Sequence, residues 1–507
     1  MTILAFDLGA GSGRAFSGHV DGGLIKAEEI HRFPNQPVQA GRHLYWDILR
    51  LFHEIKQGIL KAKNDCGRIS CIGIDSWAVD FGLLDQNGEL LGNPYHYRDP
   101  HTDGIMEEVL DVLGKEEIFS HTGIQLLPFN TMYQLYALKK ANPSLLERAE
   151  TLLMIPDLLR YFLTGEKKSE FTNATTTQLF NPNTSDWDWE LISLLGLPAA
   201  IFPKDILKPG GEAGRLMPSV CGELGVPAAP VIAVGEHDTA SAVVGIPAET
   251  KEFAYFICGT WSLIGTELDE PLMTQQALDW NFTNEGGVGG TYRLLKNIMG
   301  LWIFQRCQAD WEKDGKRYTS GELVKLAGQA DGFRSWIDPD HGMFLNPVNM
   351  PEAIKDFCRK TDQNVPETPG AIIRCVLESL AFKYRFILER IEALTGKEYE
   401  GLHMAGGGIR NELLCQYTAN VLARKVWAGP AEASAIGNIA VQAIALGMFW
   451  DVWDARQAIK RSFSQKTYAP KDTAAWEKAY RHFTEHILGA AAGGNVKNVS
   501  RFGAYAL

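Results

Sequence analysis

The beginning of the chain constrains its fold more than any other segment. The apolar run Ile3-Leu4-Ala5-Phe6 is followed by Asp7-Leu8-Gly9-Ala10-Gly11-Ser12-Gly13-Arg14. This pattern predicts a buried strand that ends in an acid and then turns through glycines, whose backbone N–H groups can approach an anion. Asp7 repels phosphate but can hold the hydrated magnesium that accompanies a nucleoside triphosphate. The glycine spacing is neither that of a Walker A loop nor G-x-G-x-x-G. A plain strand and turn with a capping Asp is the structural alternative.

Length and charge limit the classes of protein to which the chain can belong. At 507 residues the chain is too long for one ordinary core, so we expect two domains. The net charge of −12 argues against nucleic acid as the main partner, so a phosphate site must rely on backbone amides and single cations.

No uninterrupted apolar run approaches the roughly 20 residues that span a bilayer, and the start has no basic region typical of a signal peptide. We therefore expect a cytoplasmic protein without a membrane segment.

The cysteines and histidines show no pattern of a metal site. The eight cysteines are scattered without a C-x-x-C pair, and the twelve histidines form no H-x-x-x-H or H-E-x-x-H pattern. In a chain of this size such cysteines are typical of free thiols in a reducing compartment. A structural metal is therefore not expected.

Two distant segments share one pattern of strand, glycine turn and strand. The first covers residues 1–20, and the second covers residues 253–265, with its turn at Gly259-Thr260. The likeness is in organisation and not in individual residues. It predicts two related halves, with a boundary near 245–250 and a phosphate-contacting turn in each half. Two unrelated hairpins are the alternative.

Two further segments have compositions that suit either binding or packing. Residues 402–405 predict a short strand that enters Gly406-Gly407-Gly408, where a planar ring can approach the backbone. A flexible connection between a strand and a helix would have the same sequence. Residues 429–438 are mostly small and open a helix, for which close packing explains the composition at least as well as binding does. The segment 489–507 is rich in Gly, Ala and Asn and is predicted to be a tail.

Aspartates at predicted strand ends, combined with glycine turns, are typical of phosphoryl transfer. This chemistry requires positioning, charge neutralisation and one base for the acceptor hydroxyl. Asp238 follows a buried strand predicted over 230–235 and begins a helix, whose dipole stabilises a carboxylate. A helix N-cap formed by Asp238 or Thr239 is the structural alternative. The acids that we consider for the base are Asp7, Asp75, Asp80 and Asp238, of which Asp7 is better suited to a metal.

Several segments, in their order along the chain, resemble the FGGY family of carbohydrate kinases. The matching segments extend from Asp7 to about Gly447 and include DLGAGSGR (7–14), IGIDSWAVDFGLLD (72–85), GIQLLPFNTMYQL (123–135), FTNATTTQL (171–179), HDTASAV (237–243), GTWSLIG (259–265), NEGG (284–287), LLKNIMGLWIFQR (294–306) and AGGGIRN (405–411). Runs such as PFNTMYQL and KNIMGLW are too particular to arise from composition.

This resemblance implies an α/β fold of the actin-like ATPase (ribonuclease H-like) type, with two related domains around a cleft. The N-terminal domain, 1–247, would bind the sugar and carry the base. The C-terminal domain, 248–488, would bind the nucleotide, and 489–507 would be a tail. The implied reaction is the ATP- and Mg²⁺-dependent phosphorylation of the 1-hydroxyl of L-rhamnulose in L-rhamnose catabolism. A kinase for a related ketose such as L-fuculose, and a non-catalytic nucleotide-dependent switch, are the alternatives.

The resemblance also implies roles for single residues. Asp238 corresponds to the catalytic base, and Asp7 to an aspartate that holds Mg²⁺ through water. The residues implied in ATP binding are Ala10, Gly11, Ser12, Gly13, Arg14, Thr260, Asn297, Gln305, Gly406, Gly407 and Gly408. The residues implied in substrate binding are Ala78, His237, Asp238 and Thr239. The aromatic residues that could face the sugar methyl group are Trp77, Phe81, Tyr97 and Phe129. The implied partners are a sugar and ATP, without nucleic acid or a membrane, and the implied assembly is a monomer or homodimer.

Overall fold

A computed structural model describes residues 1–259, 261–345 and 347–488, which form two compact units. Among the described residues, unit 1 contains 1–249, 267–294 and 432–463, and unit 2 contains 250–266, 295–431 and 464–488. The boundary predicted at 247/248 divides the chain once, whereas two later segments return to unit 1. Thr260 and the predicted tail, 489–507, lie outside the described residues.

The described chain contains both strands and helices in each half, as in an α/β fold. The strands are β1 (Thr2–Leu8), β2 (Ser12–Asp21), β3 (Leu24–Pro34), β4 (Val38–Ala40), β5 (His43–Tyr45), β6 (Ile69–Ser76), β7 (Phe81–Leu84), β8 (Thr151–Met154), β9 (Ser169–Glu170), β10 (Phe180–Asn181), β11 (Asp186–Trp187), β12 (Ile206–Leu207), β13 (Glu212–Arg215), β14 (Pro230–Ile232), β15 (Ala254–Cys258), β16 (Trp261–Leu268), β17 (Thr283–Gly286), β18 (Tyr292–Met299), β19 (Gly401–Ala405), β20 (Lys425–Ala428) and β21 (Lys466–Tyr468).

The helices differ widely in length. The α-helices are α1 (Ile48–Cys66), α2 (Ile105–Leu113), α3 (Lys115–Thr122), α4 (Thr131–Ala141), α5 (Pro143–Arg148), α6 (Ile155–Thr164), α7 (Phe171–Ala174), α8 (Trp189–Leu194), α9 (Pro218–Leu224), α10 (Asp238–Val244), α11 (Gln275–Asp279), α12 (Trp302–Lys313), α13 (Ser320–Gln329), α14 (Met350–Lys360), α15 (Pro369–Thr395), α16 (Glu412–Leu422), α17 (Ala433–Ala445), α18 (Val452–Ser462) and α19 (Thr473–His482). Short 3₁₀ helices cover Pro100–Thr102, Thr175–Thr177, Ala199–Ile201, Gly342–Phe344 and Gly407–Arg410, and a π-helix covers Phe483–Leu488.

The two large sheets contain the same arrangement of three strands. In the six-stranded sheet, of order β13-β14-β6-β1-β2-β3, β1 pairs antiparallel with β2 and parallel with β6. In the seven-stranded sheet, of order β17-β18-β16-β15-β19-β20-β21, β15 pairs antiparallel with β16 and parallel with β19. Both predicted strand–turn–strand segments are therefore confirmed as hairpins, and each hairpin has a parallel strand beside its first strand.

The core of unit 1 covers both faces of β1, which is buried at every position. Successive residues of a strand point to opposite faces of the sheet. Leu4, Phe6 and Leu8 accordingly belong to the cluster that contains the apolar face of α1. Ile3 and Ala5 belong to the cluster that contains the apolar residues of α17. A strand covered on both faces needs apolar residues without alternation, which explains the run at the start of the chain.

The described residues contain no membrane-spanning helix and no cluster of metal ligands. In this part of the chain no helix has both the length and the apolar composition needed to cross a membrane. Within the same residues, no group of three or more His, Cys, Asp or Glu side chains is arranged to hold a metal ion. The eight cysteines are free thiols, and most of them are buried.

Candidate active site

Three neighbouring parallel strands of unit 1, β1, β6 and β14, end at the same edge of the six-stranded sheet. Just beyond β6, Trp77 N donates to Leu8 O at the end of β1 over 3.2 Å. On the other side, Ser76 N donates to Glu236 O, in the segment that follows β14, over 2.9 Å. The carboxyl edge of parallel strands is where open α/β sheets bind ligands. This edge carries the glycine turn, the predicted sugar contact and the predicted base.

The glycine turn after β1 is held in place by Asn35. Its Nδ2 donates to Gly9 O over 2.9 Å, and its backbone N–H donates to Gly11 O over 3.2 Å. Gly11 is exposed, and a Cβ added there would have no atom within 4 Å. The space beside the turn is therefore open, as a phosphate-binding turn requires. The other predicted phosphate contacts in this turn are half-buried or buried: Ala10, Ser12 and Gly13.

Arg14 and Asp7 lie directly opposite each other in the β1–β2 hairpin. Arg14 Nη2 donates to Asp7 Oδ2 over 2.5 Å, and Nη1 pairs with Glu432, which precedes α17. Burial raises the pKa of Asp7, while the Arg14 charge acts in the opposite direction. The predicted phosphate cation and the predicted metal-associated acid therefore form one ion pair. A phosphate that binds Arg14 must share the guanidinium with these carboxylates.

Side-chain exposure separates the four acids that we considered for the base. The Asp238 side chain is 25% exposed, against 5% for that of Asp7. Asp75 and Asp80 are completely buried. Asp75 accepts a hydrogen bond from Asn438 Nδ2 over 2.6 Å, and burial raises its pKa well above the usual range. Of the four carboxylates, that of Asp238 is the most accessible to an acceptor hydroxyl.

Asp238 is the first residue of α10, immediately after His237. The N-cap is His237, so the prediction that Asp238 or Thr239 caps this helix is wrong by at least one residue. Asp238 Oδ1 lies 3.6 Å from His237 Nε2. Burial raises the pKa of Asp238 to about 6, against the lowering effect of the neighbouring His237. A carboxylate with this pKa is ionised at neutral pH, so it can accept a proton from a hydroxyl in the transition state.

Two residues beside the base were missed in the analysis of the sequence. Arg293, in β18, and Glu285, in β17, contact the residues on either side of Asp238: Arg293 Nη1 donates to Thr239 Oγ1 over 2.7 Å. Glu285 Oε2 lies 3.3 Å from His237 Nδ1. Glu285 belongs to the segment NEGG (284–287), which contributed to the family resemblance but indicated no role for this residue.

The segment after β6 that contains Ala78 has an unusual backbone conformation. Ala78 is half-buried, and Val79 has a φ of 68°, in the left-handed region that β-branched residues rarely adopt. Two residues at the start of α4 hold this segment: Thr131 Oγ1 donates to Val79 O over 2.7 Å, and Gln134 Nε2 donates to Asp80 Oδ1 over 2.9 Å. Such strain persists where the surroundings enforce it, and it is concentrated at binding sites.

The aromatic residues predicted to face a sugar form two groups. Trp77 and Phe81 are buried in the core, each 6% exposed. Trp77 Nε1 donates to Asp80 Oδ2 over 3.0 Å, so this ring supports the strained segment from the interior. Tyr97 and Phe129 are half-buried, with ring centroids 5.7 Å apart. Tyr97 and Phe129 are therefore the better candidates for an apolar contact with a ligand.

In unit 2 the glycine segment 406–408 lies against the end of β15. Gly406 has a φ of 87°, and a Cβ on Gly408 would lie 2.2 Å from Cys258 Sγ, so neither position accepts a side chain easily. Gly407 is exposed, and a Cβ there would meet no atom within 4 Å. This combination of two tightly placed glycines and an open backbone between them suits a flat ligand.

The start of α12 lies close to the same glycine segment. Leu301 N donates to Gly259 O over 3.1 Å, and the Cβ position of Gly408 is 2.9 Å from Leu301 Cδ1. The remaining residues implied in nucleotide binding are Asn297, half-buried in β18, Gln305, exposed in α12, and Thr260, outside the described residues.

Both halves of the chain match one protein family. Residues 2–245 match the N-terminal domain, and residues 254–446 the C-terminal domain, of the FGGY family of carbohydrate kinases. The chain belongs to the FGGY family of carbohydrate kinases. It is therefore an ATP-dependent sugar kinase, with ATP as its co-substrate.

The similar proteins support this membership in detail. The rhamnulokinase of Bacteroides thetaiotaomicron is 46% identical over 481 residues, which cover 95% of this chain and 98% of the relative. The rhamnulokinase of Oceanobacillus iheyensis is 45% identical over 468 residues, covering 92% of this chain and 98% of the relative.

Solved structures of other sugar kinases have the same fold. A xylulose kinase from Lactobacillus acidophilus has a TM-score of 0.82 at 18% identity, covering 98% of this chain and 100% of that one. Plasmodium falciparum glycerol kinase with ADP has a TM-score of 0.76 at 16% identity, covering 98% of both chains. The predicted α/β fold of the actin-like ATPase type is thereby confirmed.

Proposed function

We propose that this protein is a rhamnulokinase. It transfers the γ-phosphoryl group of ATP to the 1-hydroxyl of L-rhamnulose, giving L-rhamnulose 1-phosphate and ADP in L-rhamnose catabolism. The observation that carries this proposal is the identity of 45–46% to rhamnulokinases over more than nine-tenths of the chain.

In this proposal Asp238 is the general base. Its carboxylate accepts the proton of the 1-hydroxyl while the hydroxyl oxygen forms a bond to the γ-phosphorus and the bond to the β–γ bridging oxygen breaks. The exposure of the side chain and its pKa of about 6 support this role, because the base must be both accessible and ionised at neutral pH.

The sugar is held by the segments that flank the base and follow β6. The backbone at Ala78 and the side chains of His237 and Thr239 bind its hydroxyl groups, and Tyr97 and Phe129 contact its methyl group. These residues belong to the N-terminal domain, 1–247, which supplies the sugar site. A related ketose such as L-fuculose is the second candidate substrate, because the Ala78 methyl group is half-buried in the segment proposed to contact the sugar.

The nucleotide is held by the glycine turn and by residues of the C-terminal domain, 248–488. The backbone of Ala10, Gly11, Ser12 and Gly13, the Arg14 guanidinium and Thr260 contact phosphates, and Asn297, Gln305 and residues 406–408 contact the nucleoside. A Mg²⁺ ion would neutralise phosphate charge. Mg²⁺ prefers carboxylate oxygens and keeps several waters, so the single carboxylate of Asp7 fits an ion held through water.

The compartment, assembly and partners of the enzyme are also part of the proposal. We propose a cytoplasmic monomer or homodimer that binds a sugar and ATP and does not bind nucleic acid. The net charge of −12 argues against nucleic acid as a partner. The eight free thiols are typical of a reducing compartment.

The test is ADP release from MgATP in the presence of single acceptors. The acceptors are L-rhamnulose, L-fuculose, L-xylulose, L-ribulose, D-xylulose and glycerol, with no acceptor as the blank. We expect the highest kcat/KM with L-rhamnulose. A preference for another ketose would retain the mechanism and change the substrate. Slow ATP turnover that no acceptor stimulates would contradict the proposal and favour a nucleotide-dependent switch.

A further inference from the structure

The side chain of Arg293 is completely buried, and it uses its donors on the surroundings of the proposed base. Nε donates to Gly286 O over 2.9 Å, and Nη1 donates to Thr239 Oγ1 over 2.7 Å. Nη2 lies 3.1 Å from His237 Nδ1 and 3.2 Å from Glu285 Oε2. The guanidinium therefore contacts both neighbours of Asp238 in the sequence, 237 and 239.

The position of Nη2 determines which nitrogen of His237 carries a hydrogen. An arginine guanidinium has only donors and stays protonated in proteins, so His237 Nδ1 must act as the acceptor. The hydrogen of the neutral ring is then on Nε2, which lies 3.1 Å from Thr239 Oγ1 and 3.6 Å from Asp238 Oδ1. The polar edge of the ring therefore faces the proposed base.

Without Arg293, Glu285 would favour the opposite tautomer of His237, with the hydrogen on Nδ1. Its Oε2 lies 3.3 Å from His237 Nδ1, a distance at which a carboxylate attracts a hydrogen onto that nitrogen. Nη2 lies within 3.2 Å of both acceptors, so its positive charge opposes a second hydrogen on His237 Nδ1 and attracts the Glu285 carboxylate. Glu285 in turn balances the buried charge of Arg293, which would otherwise be costly.

Thr239 completes the arrangement. Its oxygen accepts from Arg293 Nη1 and lies 3.1 Å from His237 Nε2 and 3.3 Å from His237 Nδ1, so the nearer ring nitrogen is the one that carries the hydrogen. A hydroxyl that accepts two hydrogen bonds still has its own hydrogen to donate. That hydrogen is then available to an oxygen of a ligand.

We propose that Arg293 and Glu285 are positioning residues that hold His237 as the Nε2–H tautomer and orient the Thr239 hydroxyl, so that Thr239, next to Asp238, presents a fixed hydrogen-bond donor to the sugar. This inference rests on the proposed sugar kinase function. The direct prediction is that sugar-dependent catalysis depends on the charge and shape of residue 293, although this side chain is buried.

Arg456 provides a matched control. It is 1% exposed, pairs with Glu267 over 2.7 Å and donates to Val243 O at the far end of α10. Both arginines are thus buried, paired with a glutamate and bonded to the helix that Asp238 begins. We expect Arg456→Lys to lower stability without changing kcat per folded molecule by more than about twofold.

The kinetic test compares Arg293→Lys, Arg293→Met and Arg293→Met/Glu285→Gln with the Arg456 control. We expect kcat with L-rhamnulose to fall by about tenfold in Arg293→Lys and by about a hundredfold in Arg293→Met, with the Kd for ATP within about twofold of wild type. In the double variant the side-chain amide introduced by Glu285→Gln can donate an N–H to His237 Nδ1, so we expect about tenfold recovery over Arg293→Met. Unchanged kcat per folded molecule in all three variants would overturn the proposal.

The second readout does not depend on activity. Long-range ¹H–¹⁵N NMR spectra of protein labelled with ¹⁵N-histidine report which ring nitrogen is protonated, and His237→Asn identifies the signals. We expect a protonated Nε2 in the wild type and a protonated Nδ1 in Arg293→Met. A protonated Nδ1 in the wild type would overturn the proposal even if the kinetic effects were found. If no ketose is a substrate, the proposed function fails, and the spectra still decide the state of His237.

Discussion

At the residue scale, the environment of each acid decides what it can do. Asp75 lies near the end of β6, and Asp80 and Asp238 follow β6 and β14, so the sequence does not distinguish these acids by residue type. In the structure, Asp75 and Asp80 are completely buried, whereas a quarter of the Asp238 side chain is exposed. A base must reach its substrate, so exposure selects Asp238 where residue type does not.

The first prediction concerns Asp238→Asn. We expect ATP to bind almost normally while sugar-dependent kcat falls by about a hundredfold or more, because the amide cannot accept the hydroxyl proton. Equilibrium binding of ATP and steady-state ADP release measure the two effects. Turnover close to that of the wild type would contradict the assigned role.

The pH dependence of the wild-type enzyme provides the second prediction. Burial raises the pKa of Asp238 to about 6, and the base works only when it is deprotonated. We therefore expect kcat/KM to be level near neutral pH and to fall about tenfold per pH unit below that pKa. An acid limb that begins only near the ordinary aspartate pKa, about 4, would show that Asp238 is not the titrating group.

The third prediction concerns Asp80, whose carboxylate accepts from Trp46 Nε1, Trp77 Nε1, Gln134 Nε2 and Tyr97 N. In Asp80→Asn one oxygen becomes a donor that faces another donor. We expect a loss of about 1–3 kcal/mol in the free energy of unfolding, together with a higher KM for the sugar. The measurements are urea unfolding and steady-state kinetics at about pH 8, where an aspartate is ionised.

Asp111, which is exposed in α2, is the matched control for Asp80. We expect Asp111→Asn to change the free energy of unfolding by less than about 0.5 kcal/mol, as is usual for surface substitutions. Equal effects of the two substitutions would show that the Asp80 hydrogen bonds do not hold the segment 77–80.

At the element scale, close packing of α10 against α17 supports the position of the base. A Cβ on Gly437, in α17, would lie 1.7 Å from Ser241 O, in α10. A Cβ on Gly245, just after α10, would lie 2.3 Å from Ala433 O. The small residues of 429–438 thus serve close packing at Ala433 and Gly437, which is the structural alternative that the composition allowed.

The fourth prediction tests this contact with Gly437→Ala. The added methyl group would meet the backbone oxygen of Ser241, which cannot move without the rest of α10. We therefore expect a loss of about 1–3 kcal/mol or more in the free energy of unfolding. Gly222, which is exposed in α9 and has open space around its Cβ position, is the control. Gly222→Ala should be neutral or stabilising by up to about 1 kcal/mol. Thermal and urea unfolding of both variants measure the difference, and similar curves would contradict the packing argument.

At the scale of the whole molecule, unit 1 is completed by residues from late in the chain. Ile436 and Ile439 of α17 share a core cluster with Ile3 and Ala5 of β1. Asn438 supplies the hydrogen bond to the buried carboxylate of Asp75. The first 247 residues therefore contain the six-stranded sheet but lack the helix that covers one of its faces.

The fifth prediction follows for a fragment of residues 1–247. We expect it to lack a cooperative thermal transition and a native-like near-UV circular dichroism signal, because one face of β1 and the Asp75 carboxyl would be uncovered. The full chain measured under the same conditions is the control. A cooperative transition of the fragment would show that 1–247 folds by itself.

Local features of the sequence were sufficient to predict several elements of the fold. The hairpins at 1–20 and 253–265 and the start of α10 at Asp238 were predicted, because apolar runs, glycine turns and helix starts depend on neighbouring residues. The strand predicted over 230–235 is shorter, ending at Ile232. Such boundaries depend on pairing with β6, which the sequence does not show.

The sequence by itself determined the strand–turn–strand segments, the likeness to sugar kinases and a short set of acids, since these depend on residue type and spacing. Only the tertiary structure decided which of those acids is exposed, that α17 returns to cover β1, and that Arg293 and Glu285 contact the neighbours of Asp238. The reason is physical: burial and contacts between residues about 50 or more positions apart arise from packing of the whole chain, which no local pattern encodes.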